Sequence, residues 1–256
     1  MGGVPLPKVS LVDKRFEAFA TTYAETLILD EVSFARIKSE LDRLSNISEF
    51  KAPALMRLAH LYSYKFDVGR FRSCLESAKN LIGVSNYWKY AFVSGAVNLG
   101  LFEEAREVLD SYDTHEVQWL NFKITIYTSL GLVESAVRAI ESVHAMESSD
   151  NKLIKNPELV SRVYRVLDVL KDHGCDQEML YRRICLASKV VIDEIKKPLV
   201  QYAITAGYEA GVIYSFAMNE DVNLMVDLEW KMAEALIEAF DDEIDAITIN
   251  VRYCGD

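Results

Sequence analysis

The chain is poor in the residues that form turns. Its 256 residues include only 11 glycines and 5 prolines. An all-β sandwich or barrel needs such residues at most of its corners, so their scarcity argues against both folds. Half of the residues are hydrophobic, which is enough for one or two buried cores. The composition therefore predicts a helical globular protein.

The chain has few cysteines and no motif typical of secretion. Cys74, Cys175, Cys185 and Cys254 are scattered without CxxC spacing, which predicts free thiols in a reducing compartment. The first fifteen residues have no apolar run behind a basic start, so no signal peptide is predicted. We therefore expect a cytoplasmic protein.

One segment is long and apolar enough to raise the question of a membrane. Leu199–Met218 carries Glu209 as its only charge. Hydroxyl and amide side chains dilute its apolar character and no basic cluster sets an orientation, so we expect a buried helix and no membrane association.

Enzyme motifs are absent from the sequence. It contains no GxxxxGK[ST], GxGxxG, HExxH or GxSxG. His173, Cys175 and Cys185 lack a fourth metal ligand at close spacing, and we interpret the first two as a helix junction. No enzymatic activity, cofactor or metal is predicted.

Negative charge is concentrated near the end of the chain. The net charge is −11, and residues 219–256 contribute eleven acids but only Lys231 and Arg252. Phosphate binding requires basic side chains, so nucleic acid is not an expected partner. A protein with a basic surface is the expected partner. The candidate binding residues here are Asp241, Asp242, Glu243 and Asp245; the alternative is a solvated acidic helix face.

A repeated pattern occupies the middle of the chain. Residues 98–105 read NLGLFEEA, residues 129–136 read SLGLVESA and residues 67–74 read DVGRFRSC. Their glycines, Gly69, Gly100 and Gly131, are 31 residues apart. Small or apolar residues follow each glycine at helical spacing, including Cys74, Ala105 and Ala136. Each unit is therefore predicted to be a helical hairpin whose first helix ends at the glycine.

These units, over about residues 54–145, resemble tetratricopeptide repeats, with a period of 31 in place of that family's 34. The resemblance implies an α-α superhelix whose first helices line a partner-binding groove. The side chains ten, six and two residues before each glycine would face this groove. In the first unit they are Ala59, Ser63 and Asp67. In the next two units, where we place the candidate partner-binding residues, they are Tyr90, Ser94, Asn98, Asn121, Thr125 and Ser129.

The flanking segments complete an all-α prediction, in which the helices that follow the repeats form a C-terminal bundle. An amphipathic hairpin is expected over Phe16–Leu44, and helices are expected after Asn156–Pro157, after Asp176, and at about 199–218 and 222–240. A break at 148–152 separates the predicted domains, 1–147 and 152–256. The alternation of Ile247, Ile249 and Val251 predicts one short terminal strand.

The sequence thus favours a non-enzymatic protein-interaction module, such as an adaptor, a chaperone-like protein or an inhibitor. It would bind another protein through the repeat groove, the acidic C-terminal region, or both. The alternative is an enzyme or small-ligand-binding regulator with a pocket in the C-terminal helices near Tyr208 and Glu209. Homo-oligomerisation through the terminal strand is left open.

Overall fold

The structure, a computed structural model, describes residues 7–111, 115–146, 153–240 and 246–254, with side chains from residue 11 onward. It is mainly helical, as predicted. The elements in chain order are α1 (Pro7–Thr26), α2 (Glu31–Ser45), α3 (Lys51–Ser63), α4 (Val68–Ile82), α5 (Asn86–Asn98), α6 (Phe102–Asp110), α7 (Val117–Ser129), α8 (Val133–His144), α9 (Pro157–Asp172), α10 (Gln177–Ile195), β1 (Tyr202–Gly207), β2 (Gly211–Met218), α11 (Val222–Ala239) and β3 (Ile247–Tyr253).

The chain forms two compact units. Unit 1 comprises residues 1–105, 196–200 and 253–256, and unit 2 comprises residues 106–195 and 201–252. The predicted break at 148–152 lies outside the described residues.

Unit 1 is built from α1 to α5 and the first turn of α6. The expected first hairpin is confirmed, because α1 and α2 bury the predicted apolar stripes against each other and against α3. The core residues that share this cluster are Val12, Phe16, Phe19, Tyr23, Phe34, Ile37, Leu41, Ala54, Leu58, Leu61, Tyr62 and Tyr64.

The hairpin turns confirm two of the three predicted glycine positions. Gly100 and Gly131 have φ values of 69° and 74°, and each follows the last residues of a first helix. In each turn the next amide closes a six-residue loop, from Leu101 to the Ala96 carbonyl and from Leu132 to the Tyr127 carbonyl, both at 2.8 Å. This is the hydrogen-bond pattern of a helix that ends in a left-handed residue.

The prediction for Gly69 is wrong, because this glycine lies inside α4. The left-handed position of the first turn is taken by Phe66, with φ of 53°, and Asp67 closes the same loop onto the Tyr62 carbonyl. The first repeat therefore begins three residues earlier than the predicted alignment places it. Phe71, not Cys74, takes the helix position of Ala105 and Ala136.

Gly95 explains how the large Phe71 side chain fits at a position where the second and third repeats have alanine. Phe71 is fully buried, and its ring packs so closely on Gly95 of α5 that a Cβ at residue 95 would overlap the ring. In the second and third repeats, Ala105 and Ala136 are fully buried.

Unit 2 contains the hairpin α7–α8, followed by the helices α9 and α10. Asn156 caps α9 by accepting the Leu159 amide at 3.0 Å, and Pro157 occupies the first turn, as predicted. Gly174 ends this helix with φ of 68°, also as predicted. Asp176 accepts the Met179 amide at 2.8 Å where α10 begins.

The helix predicted at 199–218 is wrong. This segment forms the antiparallel hairpin β1–β2, in which Gly207 pairs with Gly211 across the turn. Ala203, Gly207 and Gly211 lie four residues apart, a spacing that suggests a helix contact, but they are strand residues. The β-branched and aromatic side chains of the segment favour a pleated surface, and Gly211, with φ of 69°, supplies the turn conformation.

The terminal strand is confirmed and pairs within the chain. The sheet order is β1–β2–β3. The Val212 amide donates to the Ala246 carbonyl at 2.7 Å, so β2 and β3 begin at the same end of the sheet. Helix α11 connects them, and it matches the helix predicted at 222–240.

Candidate functional site

The predicted groove residues of unit 1 are mostly engaged within the chain. Tyr90 is exposed, whereas Ser94 and Asn98 are half-buried. The Asn98 amide nitrogen donates to Ser63 Oγ at 3.1 Å, and the Asn98 carbonyl accepts the Leu199 amide at 2.7 Å. The segment 196–200 therefore lies on the end of α5.

The corrected register places Met56, His60 and Tyr64 at the groove positions, and the last two contact aromatic side chains of α1. The Tyr64 ring lies 5.5 Å from the ring centre of Phe19 and 5.2 Å from that of Tyr23. Ala59 and Ser63, which the uncorrected register places there, are fully buried, and Asp67 instead caps α4 by accepting the Arg70 amide at 2.9 Å.

His60, at the second of these positions, has a strongly lowered pKa. Its ring is stacked on Tyr64 at 5.4 Å between ring centres and lies 5.2 Å from Phe16. Burial, with a smaller effect from the nearby Arg57 guanidinium, lowers the pKa of His60 to about 4. The ring is therefore neutral near pH 7, and its role is packing.

The predicted groove residues of unit 2 are also used internally. The Asn121 amide nitrogen donates to the Leu153 carbonyl at 3.0 Å, and its side-chain oxygen accepts the Lys155 amide at 2.9 Å. Ser129 is buried, and its carbonyl accepts the Tyr214 hydroxyl of β2 at 2.8 Å. Thr125 is exposed. Of the six predicted groove residues, Tyr90 and Thr125 are thus the exposed ones.

The four acidic candidates follow α11 in the sequence. Asp241, Asp242, Glu243 and Asp245 lie outside the described residues. Glu209, the centre of the alternative hypothesis, lies exposed in the β1–β2 turn and not in an apolar helix. The helix in which the alternative hypothesis places this residue is therefore not formed.

A groove between α1 and α2 in unit 1 has a volume of about 220 Å³. Its polar groups serve the fold: Arg15 and Arg36 both pair with Glu40, and Asp30 caps α2. Among the described residues, no group of three histidine, cysteine, aspartate or glutamate side chains is placed to hold a metal ion.

Helix α11 presents an arrangement that the sequence analysis missed. Asp221 caps its start by accepting the Asn223 amide at 2.9 Å. Its inner face packs on α10 and buries Leu228 and Met232. At its edge, Lys231 pairs with Glu194 of α10 at 2.8 Å, and the Arg183 guanidinium lies 4.3 Å from the Phe240 ring centre. These contacts fix which face of α11 points outward.

The outward face of α11 is apolar. Val222, Trp230 and Ile237 are 69%, 74% and 77% exposed, and Val226 is 47% exposed. With the exposed Ala233 they recur at helical spacing, so all five lie on one side of the helix. We call Val222, Val226, Trp230, Ala233 and Ile237 the α11 stripe. It spans sixteen residues, and its two ends are about 22 Å apart along the helix axis.

Acidic side chains border the α11 stripe. By helical geometry, Asp227, Glu234 and Glu238 line one edge, and all three are exposed. Negative charge is also concentrated in the unit to which α11 belongs. Unit 2 carries 13 lysines and arginines against 26 acids, a net charge of −13, whereas unit 1 carries 15 against 13, a net charge of +2.

No protein-family model, curated protein or solved structure matches this chain. The function must therefore be argued from the described residues themselves. None of the helices in the described part of the chain has the length and apolar character needed to cross a membrane.

The signal for the α11 stripe was present in the sequence. The spacing of Val222, Val226, Trp230 and Ile237 is visible there, but Leu228 and Met232 give the opposite face an equally apolar pattern. A helix that is apolar on both faces is expected to be buried on both. The structure was needed to distinguish the packed face from the exposed one.

Proposed function

We propose that this protein is a non-enzymatic protein-interaction module whose α11 stripe binds a partner protein that presents apolar side chains edged by lysine or arginine. The observation that carries the proposal is the stripe itself. A row of large apolar side chains on a helix whose other face is already packed is typical of a binding surface. Tryptophan at the middle of such a row is the residue type most often found to dominate binding energy.

The charge of unit 2 supports a basic partner. The acids that edge the stripe belong to a unit with a net charge of −13. The electrostatic field of this negative charge speeds association with a basic protein surface and slows association with an acidic one. Asp241, Asp242, Glu243 and Asp245 follow α11 in the sequence, and we propose that they contribute to binding the same basic partner.

The helical hairpins support the same class of function. The hairpins resemble tetratricopeptide repeats, which form a family of binding scaffolds. Tyr90 and Thr125 are the predicted groove residues that are exposed, and they could make a second contact with the partner. We propose a role as an adaptor, a chaperone-like protein or an inhibitor in the cytoplasm.

The test compares three forms of the full chain in affinity capture from native lysate. They are wild type, a stripe variant carrying Trp230→Ser and Ile237→Ser, and a control carrying Tyr87→Ser and Tyr208→Ser. The control removes two exposed large apolar residues outside α11, which are 79% and 61% exposed. We expect a basic protein that is retained by wild type and control and lost with the stripe variant.

The captured protein is then purified and titrated against each form by calorimetry. Loss of a central tryptophan from a binding surface typically costs about 2 kcal/mol or more, which is roughly 30-fold in affinity. A partner that binds the stripe variant and the control equally well would overturn the proposal. Circular dichroism confirms that each form is folded.

A further inference from the structure

We propose that the element bound by the α11 stripe is an amphipathic α-helix of about four turns, with lysine or arginine along one edge. This inference rests on the proposed function and specifies its partner. Three features of α11 carry it: the shape of the stripe, its spacing and the position of its acids.

The shape of the stripe favours a helix. Its five side chains form a ridge on a convex helix surface and extend for about 22 Å. A loop contacts one or two turns of such a ridge. A second helix lying nearly parallel to α11 contacts all of it, because side-chain ridges of one helix fit the grooves of the other.

The spacing of the stripe keeps it straight. Val222 and Ala233 are eleven residues apart, and so are Val226 and Ile237. Eleven residues make three turns at 3.67 residues per turn, close to the 3.6 of an α-helix, so the stripe drifts little around α11. A partner helix therefore keeps contact along the whole stripe without strong supercoiling.

The position of the acids sets the charge of the partner helix. Asp227, Glu234 and Glu238 lie on one edge at intervals of seven and four residues, which is helical spacing. The one lysine of α11, Lys231, pairs with Glu194 on the inner side. Basic residues at the same intervals on a partner helix meet these carboxylates across the edge of the contact.

A second copy of this chain is a poor occupant of the same stripe. Two α11 helices packed against each other bring exposed acidic edges and two units of −13 charge together. Like charges at a contact edge cost affinity and slow association. Charge complementarity thus selects a basic helix from another protein.

The test uses designed peptides of about 18 residues and the fluorescence of Trp230. The chain has three tryptophans, of which Trp88 and Trp119 are buried and Trp230 is 74% exposed. The first peptide is an amphipathic helix of leucine, alanine and lysine without aromatic residues. The second replaces each lysine by glutamate. The third has the first peptide's composition in a shuffled, non-amphipathic order.

We expect the lysine-edged helix to shift Trp230 emission to the blue with saturation. The glutamate-edged and shuffled peptides should bind at least about tenfold more weakly. On the protein side, Asp227→Asn with Glu234→Gln and Glu238→Gln should weaken binding of the lysine-edged peptide by about tenfold or more. The matched control is Glu158→Gln with Asp168→Asn and Asp172→Asn, which makes the same charge change at exposed positions of α9 and should weaken it no more than about twofold.

Four outcomes would overturn the inference. Equal binding of the shuffled peptide, or equal weakening by the two triple variants, would show general attraction of cations to unit 2. A blue shift that depends on protein concentration without peptide would show a second copy on the stripe. Failure of the lysine-edged peptide while a captured protein still requires Trp230 and Ile237 would refute the helix and leave the proposed function standing.

Discussion

At the scale of single residues, His60 shows how packing sets the charge state of a side chain. Its ring is held against Phe16 and Tyr64, and its pKa is lowered from 6.5 to about 4. Because the pKa in the folded chain lies below that in the unfolded chain, the unfolded chain binds the proton more tightly between these values. Stability therefore falls as the pH is lowered through this window.

We predict that His60 alone removes about 2 kcal/mol of the free energy of unfolding between about pH 7 and about pH 5. The His60→Phe variant keeps an aromatic ring and removes the titration, so its loss over this range should be smaller by that amount. Urea unfolding at the two pH values measures it. His115→Asn, at an exposed position, is the control and should behave as wild type. The same loss in wild type and His60→Phe would contradict the prediction.

Two features of the structure make replacement of Gly211 unfavourable: its backbone conformation and the lack of space for a side chain. Its φ is 69°, and a Cβ there would overlap the backbone of Ala246. Gly174 has a similar φ of 68°, but a Cβ there would meet nothing within 4 Å. We predict that Gly174→Ala costs about 1 to 2 kcal/mol and that Gly211→Ala costs at least about 2 kcal/mol more, because the sheet must shift. Thermal or urea unfolding of both variants measures the difference, and equal costs would count against it.

At the scale of secondary-structure elements, the hairpins were predictable because they depend on local signals. Gly100 and Gly131 mark turns that need a left-handed residue, and the buried alanines follow at fixed spacing. The same rule gave a wrong prediction for the first turn. There Phe66 takes the left-handed position at a cost of about 1 to 2 kcal/mol, which packing elsewhere must offset and which no local pattern reveals.

The segment 199–218 was mispredicted because two patterns overlap in it. Alanine and glycine recur four residues apart, which suggests a helix contact, while tyrosine, isoleucine, valine and phenylalanine favour a strand. Strand pairing depends on distant partners, here β3 and the surface of α7 and α9. A single sequence does not contain that information. The α11 stripe was missed for a related reason, since only packing on α10 distinguishes its two apolar faces.

Asn121 joins two elements, and we predict that Asn121→Leu lowers the free energy of unfolding by about 2 kcal/mol. The substitution leaves the Leu153 carbonyl and the Lys155 amide without their side-chain partner. Urea unfolding measures the loss, and hydrogen exchange at the Lys155 amide should become faster. Thr125→Val, an exposed site on the same helix, should change stability by no more than about 0.5 kcal/mol. A stable Asn121→Leu variant would return Asn121 to the set of partner-binding candidates.

At the scale of the whole molecule, charge divides the chain more sharply than secondary structure does. Unit 2 has a net charge of −13 and unit 1 a net charge of +2. Repulsion among like charges opposes compaction, and salt screens it over the Debye length. The two units should therefore respond differently to ionic strength, although both are built mainly from helical hairpins.

We predict that raising salt from about 0.05 M to about 0.5 M slows amide hydrogen exchange several-fold in α9 and α10 of unit 2 and changes it little in α3 and α4 of unit 1. Sodium chloride is suitable because it acts mainly by screening at these concentrations. Exchange followed by mass spectrometry resolves the four helices in one experiment. Equal slowing in both units would mean that their amides exchange through one shared opening. In that case the acidic surface of unit 2 would destabilise the whole chain, and neutralising Asp227, Glu234 and Glu238 would raise the stability of both units together.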